Sequence, residues 1–230
     1  MIQLDDEALR ERTRALMRTA SDQAEHLFRS AIRPVYWVTA DGKPDQLGSA
    51  VLIEIDNARC LLTAAHVVDE NRASSLYVGG DSALVQISAE FNATVAPAGD
   101  RDRDHYDFAI AELPSAMLAD MSSLKFITEA EMASPSDYGE KRLYSALGYP
   151  NSKNKMKKIA NNLKVRGQLY SYSSFARFRP ALALKLDVSG DEHLFIDHGK
   201  HSRDESGRKV GSVARPEWRS DHPSGRLQRP

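Results

Sequence analysis

His66 lies at the end of the apolar run CLLTAAHVV (Cys60 to Val68). Asp107 opens DFAIAEL (Asp107 to Leu113), a run of alternating apolar residues. Histidine changes charge near neutral pH, so it is the usual general base of enzymes. A catalytic imidazole needs its ring oriented and its imidazolium stabilised, and a carboxylate does both. An aspartate at the mouth of an apolar strand is partly desolvated. It stays ionised only beside a positive or hydrogen-bonding partner, a place that His66 fits. A purely structural role competes, with a half-buried histidine and a strand-end aspartate in some other β fold.

Such a base acts on a nucleophile, and the serine candidates are all late in the chain. They are Ser206 in DESGRK, Ser212 in VGSVA, Ser220 in RSDH and Ser224 in HPSGR. Ser206 and Ser224 are each followed by one glycine and then by an arginine. Neither stands in an apolar strand–turn–strand context, and each of the four serines also fits a solvated loop. Cys60 is the only cysteine and sits beside Leu61 and Leu62, as a small apolar strand residue does. One cysteine forms no internal disulfide, so core packing alone must hold the fold.

Two other clusters carry ligand chemistry. His193, Asp197, His198 and His201 in HLFIDHGKH are zinc-ligand types, and strand alternation puts His193 and Asp197 on one face. No cysteine accompanies them, and closed zinc sites use four ligands, so no metal and no cofactor is assigned. The basic stretch SKNKMKKIANNLK (Ser152 to Lys164) has interleaved asparagines but no aromatic residues. It reads as a solvated loop, not as a nucleic-acid site.

The elements that must position His66 and Asp107 are mostly strands. Residues 4–31 are the exception. Leu9, Leu16, Ala20, Ala24 and Leu27 recur at helical spacing, without Pro or Gly. From Pro34 the texture is β-branched and aromatic. VYWVTA, GSAVLIEID, RCLLTAA, SLYVGG, ALVQISAEF, ATVAPAG, YDFAIAEL, RLYSALGYP, KVRGQLYSYSS, ALALKLDV and HLFID are short runs separated by turn residues. GSAVLIEID and RCLLTAA form an expected hairpin. Met117 to Ala133 is an expected joint between two β units. The 199–230 segment has few apolar residues and no strand pattern, so it is expected to be loose.

The chain has 230 residues, a formal net charge of −1, 41% hydrophobic and 27% charged residues. These values suit a soluble globular protein and argue against a general binder of nucleic acid or membrane surfaces. The charged N-terminus has no apolar core of a signal peptide, so a cytoplasmic location is expected.

Four segments together resemble the trypsin-like (chymotrypsin-fold) serine protease superfamily, in its disulfide-free bacterial form. GSAVLI (Gly48 to Ile53) resembles that family's glycine-rich strand. LLTAAHVV (Leu61 to Val68) resembles its T-A-A-H histidine motif, and YDFAIAEL its D-hydrophobic-A aspartate motif. GYP (Gly148 to Pro150) resembles the start of the family's second barrel. The resemblance covers residues 34 to about 198. It implies a mainly β fold of two antiparallel β-barrels, each of the six-stranded type, behind the N-terminal helix. His66 would be the general base and Asp107 its orienting carboxylate, in a cleft open to a peptide or protein substrate.

The family's G-(D/M)-S-G-G nucleophile segment is absent, since S-G-G occurs nowhere. The expected layout is a helical segment at 1–33 and a first barrel at 34–134 that carries both residues. A partial second barrel at 135–198 and an altered or truncated tail at 199–230 follow. An open second barrel would favour self-association. The expected function is a serine endopeptidase lineage with weak or no activity. The alternative is a catalytically dead module that binds a peptide or a partner protein.

Overall fold

The computed structural model describes residues 6–72, 74–134, 142–150, 168–176, 179–189 and 193–196, with the backbone strands at 202–203 and 209–210. It groups into two compact units, Met1–Asp197 and His198–Pro230.

The first unit opens with a helix, α1 (Asp6–Phe28), in the segment free of Pro and Gly. Its C-terminal end packs Phe28 against a small apolar cluster of Ile32, Leu147, Tyr149 and Leu169. Ser21 donates a hydrogen bond to Ser173 from the same helix.

The first strands are β1 (Ile32–Val38), β2 (Pro44–Ile55) and β3 (Ala58–Thr63). The β2–β3 hairpin pairs Ala50 with Thr63 through Ile55 with Ala58. Its two turn residues are Asp56 and Asn57, both at positive φ (49° and 66°). That pattern is a type I′ turn, whose twist matches the strands and which short Asx side chains tolerate.

Beyond β3 come the single helical turn α2 (Ala65–Asp69) and the strands β4 (Leu76–Gly79), β5 (Leu84–Gln86), β6 (Asn92–Ala93) and β7 (Ala109–Glu112). A short helix α3 (Ser115–Ala119) and a two-residue strand β8 (Ile127–Thr128) follow. The sheet runs β5-β4-β1-β2-β3-β7-β6, with β8 beside β2. All its pairings are antiparallel except β2 with β8. Among the described residues no ladder joins the terminal strands β5 and β6. Val35, Leu52, Leu61, Leu76 and Val78 form its packed face, together with Val67 from α2. Each such fully buried aliphatic side chain contributes about 1.5–3 kcal/mol of transfer free energy.

A second, two-stranded sheet pairs β9 (Leu143–Gly148) with β10 (Tyr170–Phe175) in antiparallel register. Three expectations fail after it. ALALKLDV is not a strand: Pro180–Leu186 is a helix, α4. Alternating Ala and Leu imitates a strand period, but both residues are strong helix formers, and no β-branched residue enters before Val188. Pro180 suits the first helical turn, and Asp187 closes the helix in the left-handed conformation. Among the described residues HLFID contributes a single bridge, Ala176 to Ile196. The second unit, expected to carry no strand, holds a two-residue pair, β11 (Ser202–Arg203) with β12 (Lys209–Val210). Among the described residues no helix is long and apolar enough to cross a membrane.

Candidate active site

Gly48 begins the site. A Cβ on Gly48 would lie 2.9 Å from Val67 Cγ2, so only glycine lets β2 pass this close to α2. The next residue, Ser49, accepts the Thr63 hydroxyl proton on its carbonyl oxygen at 2.8 Å. The chain then leaves the sheet at Ala64. In the turn that follows, Ala65 and Val67 are buried, and the His66 side chain between them is about one-third exposed (34%). Burial on both sides fixes the backbone and turns the imidazole toward solvent and Asp107.

Asp107 arrives from the neighbouring strand. The ladder Thr63 with Ala109 sets the end of β3 beside the start of β7, so Asp107 falls level with α2. Three bonds join them. The Ala65 N–H donates to the Asp107 carbonyl at 3.2 Å. The His66 backbone N–H donates to Asp107 Oδ1 at 2.9 Å, and His66 Nδ1 lies 2.6 Å from Asp107 Oδ2. A carboxylate only accepts, so Nδ1 carries the proton in this contact. In the neutral ring Nε2 then keeps its lone pair, the form that a general base requires.

Asp107 is not the first residue of the strand, as its motif predicts, but lies in the turn before it, at φ 40°. Left-handed backbone is uncommon for residues other than glycine, and Asp is among those that tolerate it. Asp104 Oδ1 steadies the turn by accepting the N–H groups of Tyr106 and Asp107, at 3.2 and 3.1 Å. Burial pushes the Asp104 carboxyl up. Hydrogen bonds from the Thr94 hydroxyl, the Asp107 N–H, Arg101 and the Tyr106 N–H outweigh it and hold the group at about 2.

The GYP segment meets the site from the second sheet. A Cβ on Gly148 would lie 3.1 Å from Ser49 Oγ. The Tyr149 N–H donates to that same hydroxyl at 2.6 Å, and Gln46 Nε2 donates to the Tyr149 carbonyl at 2.6 Å. Ser49 thus touches Thr63 with its backbone and GYP with its side chain. All four sequence segments therefore converge within one network of direct contacts.

No family model matches this chain, and no curated protein matches it.

The other named residues divide clearly. Cys60 is buried, and desolvation followed by the Glu112 charge pushes its thiol up, away from reactive thiolate. His193 turns Nδ1 toward the Ser189 carbonyl and Nε2 toward the His105 carbonyl. Among the described residues no group of three His, Cys, Asp or Glu is placed to hold a metal ion. Asp197, His198 and His201, the basic stretch Ser152 to Lys164, and Ser206, Ser212, Ser220 and Ser224 lie outside the described residues. Asp104 carried no motif. Its signal was weak, an Asp three positions before another Asp in the charged run GDRDRDHYD, which reads as an ordinary solvated turn.

Proposed function

We propose that this chain belongs to the trypsin-like serine endopeptidase lineage, with a double-barrel architecture and a peptide or protein substrate. The observation that carries this reading is the pair of contacts from one carboxylate, Oδ2 to His66 Nδ1 at 2.6 Å and Oδ1 to the His66 N–H at 2.9 Å. In that role His66 Nε2 removes the proton of a serine hydroxyl as the serine oxygen bonds to the peptide carbonyl carbon. The imidazolium returns the proton to the leaving amine, which departs and leaves an acyl-enzyme. Water then attacks the acyl group by the same route. Asp107 holds the ring and stabilises its cation without itself taking the proton.

The sequence contains no S-G-G, and the oxyanion-hole amides normally come from that segment. Hydrolysis is therefore expected to run barely above background, because triad members act as a unit. The same absence favours the second reading, a protease-like module that binds a peptide or a partner protein without cleaving it.

A fluorophosphonate probe separates the two. In an active lineage member the chain labels at Ser206, Ser212, Ser220 or Ser224, and His66→Ala abolishes the label. Equal labelling of the parent and His66→Ala would show that His66 is not the base. No label on either, together with saturable binding of a peptide library, would establish the binding module.

A further inference from the structure

Arg101 links the two halves of the His66–Asp107 pair through residues outside it. Its Nε and Nη2 donate to Asp69 Oδ2 and Oδ1 at 2.9 and 3.2 Å. Its Nη1 donates to Asp104 Oδ2 at 2.6 Å and to the Thr94 carbonyl at 2.8 Å. Asp69 ends α2, the turn that carries His66. Asp104 holds the N–H of Asp107. One planar guanidinium therefore grips the histidine helix with one edge and the aspartate turn with the other. The Asp104 side chain is 4% exposed and that of Arg101 21%, so neither is a freely solvated surface ion.

The arrangement does more than pair charges. Asp107 occupies an uncommon backbone conformation, and Asp104 is what fixes it. Asp104 is itself oriented by Arg101 and Thr94, so freeing it would release the turn. Without Arg101, Asp69 and Asp104 would lose the guanidinium that they share. A bidentate fork also sets direction, which a lysine ammonium, a point donor, does not. Small displacements matter here, since about 1 Å of misplacement can cost on the order of a hundredfold in rate.

We propose that Arg101 is a positioning residue: through Asp69 and Asp104 it sets the separation of α2 and the Asp107 turn, and with it the Nδ1–H form of His66. The role rests on reading His66 and Asp107 as a general-base pair.

The test reads the ring directly. Long-range proton–nitrogen NMR correlation of His66 in the full chain distinguishes the Nδ1–H from the Nε2–H tautomer, whether or not the chain cleaves anything. The expected parent spectrum shows Nδ1–H, assigned by its disappearance in His66→Gln. Arg101→Ala and Asp69→Asn are expected to lose the single tautomer and give a mixture, with circular dichroism unchanged. Arg101→Lys should recover part of it, and millimolar guanidinium should restore it in Arg101→Ala. Arg59→Ala removes an exposed pair with Glu54 and should leave the His66 signals unmoved. A parent spectrum without Nδ1–H would overturn the general-base pair and this role with it. A parent Nδ1–H that persists unchanged in folded Arg101→Ala or Asp69→Asn would overturn the Arg101 role alone.

Discussion

Asp107 serves two demands with one side chain and an uncommon backbone. Its two oxygens fix the ring and the N–H of His66, while its own φ of 40° aims the carboxylate across to α2. Asp and Asn share the ability to sit in left-handed backbone, so Asp107→Asn separates geometry from charge. The Asn variant should melt close to the parent. Any activated-ester hydrolysis above buffer should fall to the buffer rate, because the oriented general base is lost. Asp107→Ala should lose rate and also about 1 kcal/mol of stability, because two partly buried hydrogen bonds to His66 are lost. Full ester activity in Asp107→Asn would show that the carboxylate does not orient the base.

At the level of elements, the contacts explain why the glycines stand where they do. Val67 is β-branched and buried, so its methyl groups have little room to rotate away from a new Cβ on Gly48. Gly48→Ala should therefore cost about 1–3 kcal/mol, as overpacking does. Adding Val67→Ala should recover part of that loss, giving a non-additive double-mutant cycle in urea unfolding. Additive losses would mean that the two sites do not meet. Much of this layer was legible beforehand. The short apolar runs GSAVLIEID and RCLLTAA, separated by turn residues, marked β2 and β3, and the helical spacing of Leu9, Leu16, Ala20, Ala24 and Leu27 marked α1. The contact between His66 and Asp107 was legible because α2 follows β3 directly and the Asp107 turn precedes β7, and sheet pairing brings those two ends together. ALALKLDV was misread because its alternation outweighed its propensity. Asp104 and Arg101 were invisible because their partners come from folding, not from spacing.

For the whole molecule, enclosed charge sets the response to acid. Acid acts through Asp104. Its carboxyl is held at about 2 in the folded chain, against about 3.9 for an unfolded aspartate. A depressed carboxyl contributes stability that is fully present above the unfolded value and is lost as pH falls through the folded one. The loss should therefore fall between about pH 4 and about pH 2. Asp41 is also held at about 2, first by its hydrogen bond from Lys43 and then by that from Thr39. That pair is exposed at the β1–β2 turn, so salt screens it, whereas the enclosed Asp104 network is screened less. Urea unfolding followed across this window at high salt should then show a slope that Asp104→Asn flattens. The same variant should be less stable than the parent at neutral pH and approach it at about pH 2. An unchanged slope in Asp104→Asn would mean that the carboxylate network around Asp107 does not contribute to the acid stability of the fold.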